Sequence, residues 1–516
     1  MSDARDRGIT VTEIAAMDEP IAVSPETTAA FIGRALRGPL HTPVLVRHFG
    51  EFRRRFGDCW SRSSLGPAVK QFFEHGGRKL YVVRVANTAR GAMLCLPADG
   101  SALLLRAVDP GSTERLRAAV DYDGIPEDND RLFNLTVQRV DPTSGLVVDQ
   151  EMFKRLSYVE GDETFVADML LTSTIVRVEA PFPLHRPAAT TDEDSRFELT
   201  WVDPVQEGTD GTELSDYDLV GSMRDGTGLF ALQQAERVDI VYLPPPGKGR
   251  DTGPAAILAA DQYCKRRGAM LVVDPATAWQ TADDAVAGVR ELGYASPNIL
   301  SYFPRLCSRG NDGPPRVAGG ALAGLLCKLD ATAGPWEALD RDLLGFKRRL
   351  RPAVDLDQRD TRALARAGLN AIVNAEHGRA RVVGAATLSR GSESNRMFRS
   401  LPVRRTCLAI VSSVDLATRW AVFEQPDRKL TARIRAQVLA YLSGLANVGA
   451  FENDRFMVDC DAGLCERDDR LEHGVTILLV FQPKGSRVPI SFTIHQTVAG
   501  CRVTSTAFAP VIEDCA

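Results

Sequence analysis

The stretch 63–85, "SSLGPAVKQFFEHGGRKLYVVRV", changes from helical to extended hydrophobic spacing within a few residues. In its first half apolar residues recur at helical spacing, at Leu65, Val69, Phe72 and Phe73. A serine pair precedes them as candidate N-caps, and a Gly-Gly pair follows that offers the left-handed residue ending a helix. The mostly apolar run 79–85 then predicts a strand buried on both faces of a sheet. The unit bears no recognisable catalytic group, so it predicts a scaffold.

Helical and extended hydrophobic spacing alternate along most of the chain, but one segment has a different pattern. Segments 21–90 and 221–310 alternate strands with helices, as in "VDIVYLPPP" followed by "PAAILAADQYCKRRG". Between them, 91–220 has short alternating stretches divided by turn-forming clusters, and 192–218 holds ten acidic residues against one basic residue, Arg196. These features predict an inserted, antiparallel, solvent-facing β domain.

We therefore predict an α/β fold of mixed α+β character in six segments. They are an N-terminal arm at 1–20, a first core part at 21–90, a β-rich inserted domain at 91–220, an α/β domain at 221–310, a C-terminal core part at 311–498 and a C-terminal arm at 499–516.

The helix predicted at 427–447 has two distinct faces. Asp427 is its candidate N-cap, and one apolar stripe follows helical spacing at Leu430, Ile434, Val438, Leu442 and Leu445. The remaining arc carries four cations and no acidic residue, at Arg428, Lys429, Arg433 and Arg435. Two interpretations remain open: a solvated polar face, or a cationic face matched to an acidic partner protein.

The two ends of the chain have strand composition without an evident local partner. "GITVTEI" near the N-terminus is stopped at residues 18–20 by Asp-Glu-Pro, and no turn returns it to a second strand. Strand addition to a neighbouring chain satisfies the backbone groups of such an arm. Two arms on one subunit make head-to-tail links, which produce rings or open helical filaments. The pattern therefore favours a polymerising structural protein.

Composition narrows the function classes only modestly. The 516 residues are 44% hydrophobic and 25% charged, with a formal net charge of −5. This balance gives no reason to expect nucleic acid or an anionic membrane as partner. We expect no membrane span and no secretory signal, since no apolar run reaches the required length and the start "MSDARDRG" is charged. Ten scattered cysteines indicate a reducing cytoplasm as the place of synthesis.

Three features of the sequence are candidates for chemical sites. The loop 244–256 follows a strand and opens a helix, as phosphate-binding loops do, but lacks their glycine motifs and carries three prolines. Asp274 ends a strand where α/β enzymes often keep a carboxylate, although Asp-Pro also makes a good turn or N-cap. Cys460 and Cys465, with His473 nearby, lack a fourth ligand for zinc. We expect no catalytic site, metal or cofactor; an α/β enzyme using 244–256 and Asp274 is the competing class.

The residues resemble the tail sheath proteins of contractile phages and phage-like injection systems. The N-terminal resemblance runs through "GITVTEI", "TTAAFIGRALRGPLHTPVLVRHFGEFRRRFG" and "LGPAVKQFFEHGGRKLYVVRV". The C-terminal one runs through "VAGGALAGLLCKLDATAGPWEA", "GRARVVGAATLS" and the segment around the 427–447 helix. Together they cover about 8–90 and 225–498. The family's "WGARTL" stretch has Val383 and Ala386 here in place of tryptophan and arginine.

The resemblance implies a sheath core with an inserted outer domain and extended arms. Subunits of the family polymerise helically around an inner tube, as stacked rings of six, and contract to drive the tube through a target envelope. It implies a particle with baseplate and terminator proteins, made in the cytoplasm, with no nucleic acid and no direct membrane insertion; a minor or terminal sheath paralogue is the alternative. Predicted inter-subunit arm residues are Ile9, Val11, Ile14, Val503, Thr504 and Phe508. Predicted inner-tube contacts are Arg428, Lys429, Arg433 and Arg435.

Overall fold

The computed structural model describes residues 20–23, 26–113, 115–141, 144–192, 195–247, 249–310, 313–340, 345–375, 378–389, 397–425, 427–467, 470–498 and 500–506. These residues form two compact units. The larger unit comprises 26–332 and 338–389; the C-terminal unit comprises the described residues beyond 389 with 20–23 and 333–337.

The strands are numbered in chain order. They are β1 Thr28–Gly33, β2 Val44–Val46, β3 Lys79–Arg84, β4 Met93–Ala98, β5 Ser101–Ala107, β6 Arg115–Asp121, β7 Leu132–Val140, β8 Val147–Ser157, β9 Val176–Glu179, β10 Thr191–Asp192, β11 Ser195–Leu199, β12 Ile240–Tyr242, β13 Met270–Val273, β14 Ile299–Phe303, β15 Leu306–Ser308, β16 Leu350–Pro352, β17 Asn370–Asn374, β18 Ala380–Val383, β19 Phe451–Arg467, β20 Arg470–Pro483, β21 Ile490–Thr497 and β22 Gly500–Thr506.

The helices are numbered in the same way. They are α1 Phe49–Phe56, α2 Leu65–Glu74, α3 Val166–Met169, α4 Asp216–Val220, α5 Pro254–Arg267, α6 Ala282–Leu292, α7 Gly319–Thr332, α8 Gln358–Arg366, α9 Leu401–Thr418 and α10 Arg428–Asn447. Short 3-10 helices occupy Leu170–Thr172, Gly228–Gln234, Met397–Arg399 and Arg419–Phe423.

An eight-stranded sheet forms the centre of the larger unit, in the order β18-β17-β14-β13-β12-β1-β3-β2. Its inner strands run parallel, whereas the edge strands β2 and β18 run antiparallel to their neighbours. Strand β1 lies between β3 and β12, and its residues are fully buried. This agrees with the continuous apolar runs in the sequence, which are typical of parallel strands covered on both faces.

The sheet divides the chain differently from the six predicted segments. The sequence interpretation placed 21–90 with 311–498 in one core and kept 221–310 separate. In the structure β1 to β3 share a sheet with β12 to β14 from 221–310 and with β17 and β18 from the later segment. Parallel strands are joined by crossovers, so the neighbours of a strand in a sheet are not fixed by its neighbours in sequence. That is why the pattern alone did not reveal this grouping.

Helix α2, from the opening stretch, packs closely on α7. Added Cβ atoms at Gly320 and Gly324 would lie 2.3 Å from the carbonyl oxygen of Ala68 and 2.4 Å from that of Phe72. Glycine at these positions lets the two helix backbones approach each other. The predicted helix end is also confirmed, since α2 ends at Glu74, His75 is its C-cap and Gly76 follows with a φ of 106°.

A buried arginine ties the start of the sheet to the inserted domain. The Arg84 guanidinium donates to the carbonyl oxygens of Ala35 (3.1 Å), Leu36 (3.4 Å), Gly38 (2.6 Å) and Pro110 (2.5 Å). Only 1% of Arg84 is exposed. A buried cation of this kind needs such acceptors, so the loop after β1 and the segment entering the insertion are held in one arrangement.

The inserted segment is antiparallel and β-rich, which confirms that prediction. Two three-stranded sheets, β4-β5-β9 and β6-β7-β8, enclose one hydrophobic core. The core includes Leu94, Leu105, Leu116, Phe133 and Val137.

The C-terminal unit contains a four-stranded antiparallel sheet in the order β19-β20-β21-β22. Helices α9 and α10 contribute to the same hydrophobic core as β20 and β21, through residues such as Val414, Ile434, Ile477 and Ile494. Among the described residues, Leu401–Phe423 is long and apolar enough to cross a membrane by length and composition. Half of it is buried inside the protein, as expected for a core helix.

A buried histidine links the end of α2 to the segment after α7. His75 exchanges hydrogen bonds through both ring nitrogens: Nδ1 lies 2.7 Å from the carbonyl oxygen of Gln71, and Nε2 accepts from the N–H of Lys347 at 3.2 Å. This pairing assigns the proton to Nδ1 and requires the neutral ring. Burial lowers the pKa of His75, against the Gln71 hydrogen bond, which raises it.

We predict that His75 makes the larger unit sensitive to mild acid. Because its folded pKa lies below the ordinary value of about 6.5, the unfolded chain binds more protons below that pH, and stability falls as the pH falls. The loss from this residue is at most about 1.4 kcal/mol per pH unit. Urea unfolding at pH 7.5 and 5.5 measures it, with His75→Gln as the variant whose stability changes less over that range. An equal change in both proteins would show that His75 is not the cause.

Candidate functional site

Helix α10 has the two faces that the sequence predicted. The Asp427 carboxylate accepts from the N–H of Leu430 at 2.6 Å, which confirms the N-cap. The predicted apolar stripe is buried: Leu430, Ile434, Val438, Leu442 and Leu445. The four predicted cations are exposed: Arg428, Lys429, Arg433 and Arg435.

The placement of these cations opposes the electrostatics of their own helix. All four lie in the first eight residues of α10, while its last turn contains no basic residue. A helix N-terminus carries positive partial charge, so cations are disfavoured there and carboxylates are favoured. Residues that break a local rule without a local gain often serve a function. The N-terminal half of α10 thus carries four exposed cations, with the capping Asp427 carboxylate beside them, and both interpretations of this face stay open.

The four cations form two separate lines rather than one cluster. Lys429 and Arg433 are four residues apart and share one side of α10, whereas Arg428 and Arg435 are seven apart and share another. The Arg433 guanidinium lies 4.6 Å from the ring centre of Trp420, in the 3-10 helix before α10. Arg435 lies on the side of Cys460, whose thiol it influences electrostatically. The sequence interpretation missed the Trp420 contact, although "RWAVFEQPDRK" places an aromatic pair next to the basic segment.

The C-terminal arm begins as part of the chain's own sheet. Strand β22 pairs antiparallel with β21, so that Val503 lies opposite Ile494 and Thr504 opposite Thr493. The expectation that this segment lacks a partner within its own chain is therefore wrong for 500–506. Its β-branched residues pair with a strand of the same kind across a two-residue connection. Phe508 and the N-terminal arm residues Ile9, Val11 and Ile14 lie outside the described residues.

Both outer strands of this sheet keep an unpaired edge among the described residues. In that part of the chain β19 pairs only with β20, and β22 pairs only with β21. The side chains of 501–505 are exposed. An exposed edge is a template for another strand.

The loop 244–256, placed like a phosphate-binding loop, has a carboxylate of the same chain at its helix end. Asp216 accepts hydrogen bonds from the N–H groups of Gly253 (3.0 Å) and Ala256 (3.2 Å), at the start of α5. These are donors that a bound phosphate would need. The loop 244–256 is thus a connection whose helix end is satisfied internally.

Asp274 has a similar structural position. Its carboxylate accepts from the N–H groups of Ala318 (3.2 Å) and Gly319 (3.0 Å) at the start of α7, and from the Tyr242 hydroxyl. Burial raises the pKa of Asp274, against these hydrogen bonds and the charge of Arg305, which lower it. A mainly apolar cavity of about 240 Å³ lies beside it. The carboxylate fixes the start of α7, so both features of the enzyme alternative have internal structural partners.

Cys460, the first cysteine of the metal candidate, lies on β19. In the part of the chain that the structure describes, no group of three or more His, Cys, Asp or Glu side chains is placed to hold a metal ion. Burial raises the pKa of the Cys460 thiol to about 12, with the charge of Asp459 adding to the effect.

Solved sheath proteins have a fold similar to that of this chain. The chain superposes on the sheath tail protein Lin1278 from Listeria innocua with a TM-score of 0.63 and 14% identity, over 92% of this chain and 95% of that one. It superposes on the sheath tail protein DSY3957 from Desulfitobacterium hafniense with a TM-score of 0.54 and 13% identity, over 95% and 100%. The chain has the tail sheath fold.

A third structure with the tail sheath fold is the PVC sheath complex of an extracellular contractile injection system in its contracted state. Its TM-score is 0.50, at 13% identity over 92% of this chain and 94% of that one. No protein-family model matches the sequence, and no curated protein does. The likeness is therefore one of fold, which confirms the predicted fold class.

The departures from the sheath motif fall at one end of the large sheet. Val383 is the last residue of the edge strand β18 and is partly exposed. The backbone of Ala386 is held on both sides by Asn370, which donates to its carbonyl oxygen and accepts from its N–H, each at 2.8 Å. The loop is thus fixed without the larger side chains of the motif.

We predict that Asp216→Ala lowers the free energy of unfolding by about 1–2 kcal/mol, because the α5 terminus loses its acceptor. Urea unfolding measures the change, and Tyr217→Ala, at an exposed neighbour, is the control that stays within about 0.5 kcal/mol. Unchanged stability, together with binding of inorganic phosphate by the wild-type chain in calorimetry, would instead support the phosphate interpretation.

Proposed function

We propose that the chain is a sheath subunit that polymerises helically around an inner tube and contracts to drive that tube through a target envelope. The observation that carries this proposal is the tail sheath fold, matched over 92% of the chain at a TM-score of 0.63. The PVC structure with the same fold is a sheath complex in a contracted state. A minor or terminal sheath paralogue has the same fold and is the alternative.

The proposed polymer contact is strand addition to the C-terminal sheet. Its outer strand β22 is exposed, and its open edge can bond to a strand from a neighbouring subunit. The N-terminal arm, with Ile9, Val11 and Ile14, is the proposed donor. Val503 and Thr504 then lie at the contact between subunits. Head-to-tail contacts of this kind produce rings or open helical filaments, so they suit the proposed helical polymer of stacked rings.

The proposed action is a change in packing between rigid subunits. The larger unit has a buried sheet with closely packed helices, which suits it to move as a body. Energy stored when the extended sheath assembles is released as subunits shift to a second packing, without nucleotide hydrolysis. A mechanism without nucleotide hydrolysis agrees with the structural roles of Asp216 and Asp274, whose carboxylates accept hydrogen bonds from N–H groups at the starts of α5 and α7.

The proposed tube contact is the positive end of α10. Its exposed cations are complementary to an acidic surface on the inner tube, which also sets register and orientation. Baseplate and terminator proteins are the further partners proposed at the ends of the sheath. The subunit is made in the cytoplasm and becomes part of a phage tail or phage-like particle.

We predict that a chain lacking residues 1–14 remains folded but forms no tubes, because β22 then receives no strand. Negative-stain electron microscopy shows whether tubes form, and circular dichroism with urea unfolding shows whether the variant is folded. A second variant with 1–14 replaced by a Gly/Ser segment of equal length separates the strand residues from mere length. Normal tubes from both variants would refute the arm assignment.

We predict that replacing Arg428, Lys429, Arg433 and Arg435 by Glu abolishes extended particles on the inner tube and spares contracted polymer. Glutamates at the first two positions favour the helix dipole by about 0.3–1 kcal/mol each, so misfolding would not explain the loss. Electron microscopy of the chain coexpressed with the tube subunit is the measurement.

The matched control for this charge reversal is four exposed arginines on α1 and α8, also changed to Glu: Arg54, Arg55, Arg359 and Arg362. It alters the net charge equally and should leave extended particles intact. If extended particles survive the charge reversal on α10, the surface that contacts the inner tube lies elsewhere.

A further inference from the structure

An exposed phenylalanine lies beside the basic end of α10. Phe423 is the last residue of the 3-10 helix Arg419–Phe423, and 80% of its surface is exposed. In a 3-10 helix, side chains three residues apart lie on the same side. Phe423 therefore shares a side with Trp420.

The same side continues onto α10 through the contact between Trp420 and Arg433. The Arg433 guanidinium stacks over the Trp420 ring at 4.6 Å, and Lys429 lies one turn before Arg433. We call Trp420, Phe423, Lys429 and Arg433 the aromatic–basic patch. Three links join its members: the contact between Trp420 and Arg433, the three-residue spacing from Trp420 to Phe423, and the four-residue spacing from Lys429 to Arg433.

The composition of the patch is that of an interface centre. A single exposed apolar residue is ordinary on a protein surface. Here it lies beside a tryptophan and an arginine, the residue types that dominate binding energy at protein interfaces. Lys429 and Arg433 give the patch two positive charges and the exposed Glu424, next to Phe423, adds one negative charge, so the net charge is positive and the complementary surface is acidic.

We infer that Phe423 is the apolar anchor of the proposed tube contact, inserting into an apolar pocket within an acidic patch of the inner-tube subunit. This inference rests on the proposed function. The α10 cations then differ in role: Lys429 and Arg433 lie next to the anchor, whereas Arg428 and Arg435 lie on another side of the helix. An anchor buried in a pocket fixes the depth of the contact, in addition to the register that the charges set.

Hydroxyl-radical footprinting of assembled particles tests the burial of Phe423. Expected is a drop of at least fivefold in Phe423 oxidation when the sheath is extended on its tube, with reactivity regained in tube-free contracted polymer. Tyr217, in the larger unit and 81% exposed, is an internal reference for exposed aromatic residues. Unprotected Phe423 in extended particles would overturn the inference, as would equal protection in tube-free polymer.

Substitution separates this inference from the tube proposal itself. Phe423→Ala should weaken capture of the coexpressed tube subunit at least tenfold, Phe423→Leu should restore most of it, and Leu184→Ala, at another exposed apolar residue, should have no effect. If charge reversal on α10 abolishes extended particles while Phe423→Ala binds normally, the anchor is refuted and the tube contact stands. If neither change affects tube binding, both are refuted.

Discussion

The parallel pairing of β1 with both β3 and β12 is the constraint on which the larger unit depends. It joins residues 28–33 to 79–84 on one side and to 240–242 on the other. Because β1 is fully buried between them, the chain between β3 and β12 must leave the sheet and return to it. The β-rich insertion is that excursion, and Arg84 fixes its point of departure by bonding carbonyl groups on both sides. A buried sheet with a β-rich insertion that has its own core follows from this pairing.

Two features of the C-terminal unit bear on the proposed assembly. One is the backbone edge of β22, which is unpaired within the described part of the chain, and the other is the set of four exposed cations on α10, two of which lie in its first turn, where the helix dipole disfavours them. In an isolated subunit the strand edge is unused, and the cations of the first turn are unfavourably placed. In the proposed assembly a strand adds to the edge and an acidic surface contacts the cations. The proposed sheath role thus gives both features a use that the stability of a single subunit does not require.

The sequence predicted elements whose determinants are local. Asp427 and the stripe from Leu430 to Leu445 defined α10, because a cap and a 3.6-residue period act within the segment. The order of strands in the large sheet was not predictable, since parallel neighbours are set by crossovers. The pairing of β22 with β21 was missed because residues 498–499 carry none of the usual turn signals. Internal partners such as Asp216 for α5 also lie too far away in sequence to be predicted from pattern.

Electron microscopy of the purified chain is the most direct measurement of the central claim, that this fold serves as a self-assembling contractile sheath. One sample contains the chain alone, and a second contains the chain with the inner-tube subunit of the same particle. A contractile sheath subunit should form helical tubes of uniform width, alone in a contracted state or on the tube in an extended one. Monomers in both samples would contradict the central claim.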